Sequence, residues 1–112
     1  MICFSLRLVV PAAKRQEIIT SITALLPPTR VQPDCISARL YLDAEIANVL
    51  TLIEQWSSRA ALDRHLNSES SRVIVAAMDL SVELPEVRFD TIQHTGGMEV
   101  FMQARAAAHT AG

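Results

Sequence analysis

The regular alternation of apolar and polar residues near the N-terminus constrains this chain more than any other feature. Residues 2–10 place apolar side chains at every second position, which is typical of a strand with one buried face. The same period returns at residues 35–42, and β-branched and aromatic residues mark residues 49–56 and 87–94. We therefore predict four strands, the second and third of them joined as a hairpin by the turn 43–48.

Two helical regions separate the predicted strands. Pro11 can begin the first, in which isoleucines and leucines recur at helical spacing, and the pair Pro27-Pro28 predicts its end. Ser57 or Ser58 is a candidate N-cap for the second region, which Pro85 ends. The polar stretch 67–71 leaves open whether this second region is one helix or two.

The order β-α-β-β-α-β predicts an α+β, ferredoxin-like fold, in which an antiparallel sheet carries both helices on one face. Residues 1–97 would form this domain. Residues 98–112 would form an Ala-rich extension that contacts a partner subunit and frays at its end. The helix-free face would expose four apolar side chains: Val9, Tyr41, Val49 and Ile53. We therefore expect a homodimer in which two such faces cover each other.

Charge and motifs exclude several classes of function. The 112 residues carry a formal net charge of −2, which offers no basic surface for nucleic acid. Cys3 and Cys35 belong to no CxxC or Cys/His spacing that could hold zinc, and nucleotide-binding patterns such as GxGxxG are missing. The sequence has neither a signal-peptide pattern nor the roughly 18 consecutive apolar residues of a membrane span. We expect a cytoplasmic protein with no metal, no cofactor, no nucleic-acid partner and no membrane contact.

Residues 54–68 hold the chemically most informative pattern. Glu54 and Trp56 end the third predicted strand, and the helix that follows carries the pattern Ala-Leu-x-x-His-x-x-Ser over residues 61–68. Together with a Pro-x-Cys step at residues 33–35, this pattern resembles the antibiotic biosynthesis monooxygenase family, whose members form dimeric α+β barrels. The resemblance implies a cofactor-independent monooxygenase or quinol oxidase. Its substrates would be dioxygen and a small aromatic or quinone-like molecule.

The resemblance also implies roles for individual residues. Trp56 and His65 would orient the substrate, and Glu54 would accept its proton. Three leucines are expected to line the substrate pocket: Leu52, Leu62 and Leu66. Each polar residue also has a structural interpretation. The indole would pack in the core, the imidazole would bond to backbone or to a carboxylate, and the carboxylate would bond to an arginine or a helix terminus.

The sequence also departs from known branches of the family. Polyketide-tailoring members carry Asn and Tyr at the positions where this chain has Leu52 and Leu62. Haem-degrading members carry an axial His at a position that corresponds to about Val75 or Ala76 of this chain. The scarcity of donors favours an alternative function, a non-catalytic dimeric protein that binds a hydrophobic metabolite. An isomerase of phosphorylated sugars or ketones would need a cationic clamp, which the helix-facing side does not provide.

Overall fold

Four strands form one antiparallel sheet in the computed structural model, which describes residues 1–111 and the side chains of residues 1–107. The strands follow the spatial order β2-β3-β1-β4: β1 (Ile2–Val9), β2 (Cys35–Leu42), β3 (Val49–Trp56) and β4 (Glu86–Thr91). The helices are α1 (Arg15–Arg30), α2 (Arg59–Leu66), α3 (Ser71–Leu80) and α4 (Met98–Ala111). The predicted α+β, ferredoxin-like fold is confirmed, and the second helical region forms two helices.

The core lies between one face of the sheet and helices α1 to α3. Register pairs Leu6 with Leu52 and Leu8 with Leu50, so that the apolar positions of β1 and β3 share this face. Ile22 of α1 packs onto them and is fully buried. The alternation in the sequence therefore decides which side of the sheet the helices cover.

Helix α1 does not end at Pro27-Pro28, and the expectation of a loop from residue 27 is wrong. The helix continues to Arg30 although the prolines remove two backbone N–H donors from its last turns. The side chain of Thr29 is buried and donates to the Leu25 carbonyl at 2.8 Å, and Arg30 Nε donates to the Ala38 carbonyl at 2.9 Å. These contacts hold the last turn in place. The helix also begins later than predicted, because residues 12–14 after Pro11 form a 3-10 turn.

Two strand ends also differ from the prediction. A bulge between Cys35 and Ser37 leaves Ile36 without a partner, and its side chain is 52% exposed instead of sharing the face of Ala38. Strand β4 ends at Thr91, three residues earlier than predicted, opposite Ile2, where the antiparallel neighbour β1 begins. The length of β4 is therefore set by its pairing with β1 more than by the sequence of β4 itself.

Residues 98–111, predicted as an extension that contacts a partner subunit and frays at its end, form helix α4. Its alanines favour helix, and the Glu99 carboxylate accepts a hydrogen bond from the Gly97 N–H at its start. Every α4 side chain described is exposed, including Met98 and Phe101. The expected fraying falls on residues 108–112, whose side chains lie outside the described residues. Among residues 1–111, no helix is both long and apolar enough to cross a bilayer.

The helix-free face of the sheet carries the four side chains that the alternation assigned to it. Val9 pairs with Val49, Ile53 with Arg39, and Tyr41 with Thr51. Tyr41 is 49% exposed, whereas Val49 is already buried within the single chain. This face therefore presents less apolar surface than the sequence suggests.

Candidate active site

Strand β3 and helix α2 bring Glu54, Trp56 and His65 together. Glu54 and Trp56 stand two residues apart and so face the helices, as the buried Leu52 does. Helix α2 begins where the Ser58 hydroxyl accepts the Ala61 N–H at 3.2 Å, one of the two N-caps predicted. Two turns later the imidazole of His65 lies beside the indole of Trp56, with ring centroids 5.0 Å apart.

A buried polar cluster joins these three side chains. Trp56 Nε1 donates to Glu54 Oε1 at 3.0 Å, and His65 Nε2 lies 3.3 Å from the same oxygen. The exposed fractions are 0% for Trp56, 3% for Glu54 and 5% for His65. Both contacts fall on Oε1, and among the described residues Oε2 of Glu54 has no hydrogen-bond partner. The carboxylate is thus held by one oxygen and presents the other.

Gln32 is a fourth member of the cluster that the sequence did not indicate. Its side-chain Nε2 lies 3.3 Å from His65 Nδ1, so both ring nitrogens of His65 have a partner. The contact spans 33 residues and comes from a turn expected to be a simple connection. No local pattern could have linked these two positions.

A cleft of about 230 Å³ opens beside the cluster, between helix α3 and strand β4. Glu54 and His65 are its charged or titratable lining groups, and Ser71 adds a hydroxyl that donates to the Leu66 and Ser68 carbonyls. The remaining walls are apolar: Phe4, Leu66, Ile74, Val75, Met78, Val87 and Phe89. The cleft is therefore an apolar chamber with a carboxylate and an imidazole in its lining.

The strand register explains why the cleft lies where it does. Glu54, Phe4 and Phe89 face one another across β3, β1 and β4, and form one row of its floor. Phe89 is 42% exposed because the helices do not cover edge strand β4. The Phe4 and Phe89 rings lie 5.2 Å apart, and the Arg59 guanidinium stands 5.1 Å above Phe89.

The predicted pocket residues differ in where they lie. Leu66 lines the cleft, whereas Leu52 borders a second cavity of about 10 Å³, enough for roughly one water, which Glu54 and His65 also line. Leu62 and Trp56 are fully buried and border neither of these two cavities. Trp56 therefore does not line the cleft itself, and its hydrogen bond to Glu54 connects it to a residue that does.

The Glu54 carboxylate also affects the pKa of a thiol on the neighbouring strand β2. Cys35 lies opposite Trp56 on β2, and burial raises the pKa of its thiol, which the Glu54 carboxylate raises further. Arg30 acts in the opposite sense. Within the part of the chain that the structure describes, His, Cys, Asp and Glu side chains form no group of three able to hold a metal ion.

Comparisons with known proteins agree with this arrangement. A sequence profile described as "antibiotic biosynthesis monooxygenase" matches residues 1–77, which include Gln32, Glu54, Trp56 and His65. An uncharacterized protein from Synechocystis is 31% identical over 83 residues, which are 73% of this chain and 56% of that protein. The chain thus spans little more than half the length of this relative.

Solved structures share the fold. A crystal structure of an antibiotic biosynthesis monooxygenase superposes with a TM-score of 0.75 at 21% identity, over 84% of this chain and 100% of that one. A protein from Mycobacterium tuberculosis superposes with a TM-score of 0.76 at 24% identity, over 86% of this chain and 98% of that one. Because the family profile covers more than half of the sequence, this chain belongs to the antibiotic biosynthesis monooxygenase family.

Proposed function

We propose that this protein is a cofactor-independent monooxygenase or quinol oxidase that uses dioxygen to oxidise a small aromatic or quinone-like molecule. The observation that carries the proposal is the Glu54 carboxylate in the lining of the cleft, with both of its side-chain contacts on Oε1. A cavity of about 150 Å³ holds benzene, so a cleft of about 230 Å³ accommodates two fused rings. The apolar walls would hold the rings, and a hydroxyl would meet the carboxylate.

Glu54 is the proton acceptor in this proposal. Its Oε2 takes the proton of a substrate hydroxyl, and the resulting electron-rich anion passes electrons to dioxygen. Two-electron oxidation of a hydroquinone then yields the quinone and hydrogen peroxide, with both hydroxyl protons transferred to the peroxide. In the monooxygenase case a phenol and dioxygen give a quinone and water: one oxygen atom becomes the second quinone carbonyl, and the other leaves as water with the hydroxyl proton and the hydrogen displaced from the ring, so that the substrate supplies all the electrons. Trp56 keeps the carboxylate oriented through its hydrogen bond to Oε1, His65 Nε2 lies beside the same oxygen, and Leu66 contacts the substrate.

Oxygen uptake by the purified protein with 1,4-dihydroxynaphthalene tests the proposal. We expect uptake above the buffer rate, and a loss of about 10²-fold or more in kcat for Glu54→Gln, the scale of general-base catalysis. Glu69→Gln is the matched control, because Glu69 is an exposed carboxylate paired with Arg72. Uptake equal to that of buffer across a panel of phenols and quinols, with circular dichroism showing folded protein, would reject the proposal.

The second candidate function is a non-catalytic binding protein for a hydrophobic metabolite. The small number of polar groups in the cleft favours it, because His65 has both nitrogens engaged and Ser71 donates to backbone. This function predicts a higher melting temperature with ligand but no turnover. Binding of a naphthoquinone without oxygen uptake would therefore identify it.

We also propose that the protein is a homodimer. Two helix-free sheet faces would cover Tyr41 and Ile53, and α4 would pack on the partner subunit. Support comes from Met98, Val100, Phe101 and Met102, which are each at least half exposed, an unusual concentration for a monomer. The Cα radius of gyration of 17.0 Å, against about 13 Å for a compact chain of roughly 100 residues, reflects a chain that is extended when alone.

A further inference from the structure

Gln32 occupies a fixed position next to the carboxylate cluster. Its backbone N–H donates to the Thr29 carbonyl at 3.1 Å, and its carbonyl accepts the Cys35 N–H at 3.1 Å. The backbone between α1 and β2 is therefore held at both polar atoms of this residue. From this anchored point the side chain reaches His65, which is 95% buried in the cluster.

The two partners of His65 together define its protonation. An ionised Glu54 requires a donor, so the imidazole carries a proton on Nε2, facing Oε1. The Gln32 amide presents its NH₂ group to Nδ1, and a donor requires a lone pair there. Both contacts are satisfied at once by a neutral imidazole with its proton on Nε2. An imidazolium would instead set an N–H of His65 against an N–H of Gln32.

We infer that Gln32 is a positioning residue for the proton acceptor, because its amide donates to Nδ1 of His65 and so leaves the imidazole N–H on Nε2, the nitrogen that faces Glu54. This role rests on the proposed function, since its catalytic consequence is a carboxylate that faces a dipole and not a full positive charge. Gln32 thereby acts on the Glu54 carboxylate through His65, without touching the substrate.

The other titratable groups around Glu54 and His65 do not supply the positive charge that a neutral His65 lacks. Arg30, from α1, donates Nε to the Ala38 carbonyl on β2, the residue that pairs with Glu54. Cys35, from β2, is neutral at pH 7 because its pKa is raised. The neighbouring α3 residues that line the cavities are serines and aliphatic residues, and β1 contributes Phe4. The protonation of His65 therefore depends mainly on Glu54 and Gln32.

Gln32→Glu tests this assignment, because a carboxylate opposite Nδ1 requires a proton there. We expect the ¹⁵N shifts of His65 at pH 7.5 to change from the neutral Nε2–H pattern to the imidazolium pattern. The resonances are assigned with His94→Gln and His109→Gln variants. Gln16→Glu is the matched control, because Gln16 lies on the exposed start of α1, about 24 Å along the helix direction from position 32. Gln32→Met, which has no amide, should let the Nδ1–H tautomer of His65 compete with the Nε2–H tautomer, and an unchanged Nε2–H pattern in this variant would overturn the inference.

Kinetics provide the second measurement. With 1,4-dihydroxynaphthalene, Gln32→Glu should lower kcat about tenfold with little change in KM. Wild-type His65 present as imidazolium or as the Nδ1–H tautomer at pH 7.5 would overturn the inference. So would unchanged ¹⁵N shifts in Gln32→Glu. If the wild type consumes no oxygen while the ¹⁵N shifts respond as expected, the proposed function fails and the control of His65 by Gln32 stands.

Discussion

Replacing Trp56 with Phe isolates the hydrogen bond that holds the candidate proton acceptor. The indole is fully buried, and its Nε1 donates to the Glu54 carboxylate at 3.0 Å. A hydrogen bond to a charged group contributes about 1.5–3 kcal/mol, and losing one ring of a buried side chain costs about 1–2 kcal/mol more. The free energy of unfolding should therefore fall by about 3–4 kcal/mol. At about 4 °C per kcal/mol, the melting temperature should fall by more than roughly 10 °C.

A double-mutant cycle separates the hydrogen bond from the packing. In a Glu54→Leu background Trp56 has lost its acceptor, so Trp56→Phe removes an unpaired buried donor and costs only the packing term. We expect a coupling energy of about 2 kcal/mol between the two positions. Urea unfolding followed by circular dichroism is the appropriate assay, because Trp56 is the sole tryptophan and its loss removes the fluorescence signal. Equal costs in both backgrounds, within about 0.5 kcal/mol, would refute the reasoning.

Two further predictions concern the neighbouring strand and the C-terminal helix. Glu54→Gln removes a negative charge that raises the pKa of the Cys35 thiol, so this pKa should fall and alkylation by iodoacetamide at pH 8 should accelerate. Mass spectrometry in a Cys3→Ser background measures the rate, and an unchanged rate would show that the carboxylate is neutral or too distant. Truncation after Gly97 should raise the dimer dissociation constant about tenfold or more in sedimentation velocity, because α4 carries exposed apolar side chains. An unaltered constant would place α4 outside the interface.

The sheet was predictable because its signals are local and mutually consistent. A period of two over residues 2–9, and over residues 37–42 beyond the bulge, decides which side chains share a face, and pairing then decides the order of strands. The end of α1 was not predictable in this way. The proline rule describes the isolated backbone, whereas the helix is prolonged by Thr29 inside the core and by Arg30 bonding to the neighbouring strand. Tertiary contacts outweigh local propensity there.

The candidate site also combines features that the sequence predicts with features that it does not. The proximity of Glu54, Trp56 and His65 follows from strand alternation, the Ser58 cap and helical spacing, all of which are present in the sequence. The contribution of Gln32 depends on the path of the turn between α1 and β2. The cleft depends on the gap between α3 and the uncovered strand β4. Neither the path of this turn nor the gap beside β4 produces a pattern in the sequence, so both are known only from the structure.

A carboxylate at position 54 is the least expected residue in the fold and therefore the most informative. Leu50 and Leu52 occupy the equivalent face of the same strand, and a leucine at 54 would pack there without any desolvation cost. The chain instead buries a glutamate to 3% exposure and commits the only indole and a buried imidazole to one of its oxygens. A carboxylate with a purely structural role gains most when both oxygens are satisfied. A carboxylate that has both of its contacts on Oε1 and lines an apolar cleft suits the proposed proton transfer from a bound molecule.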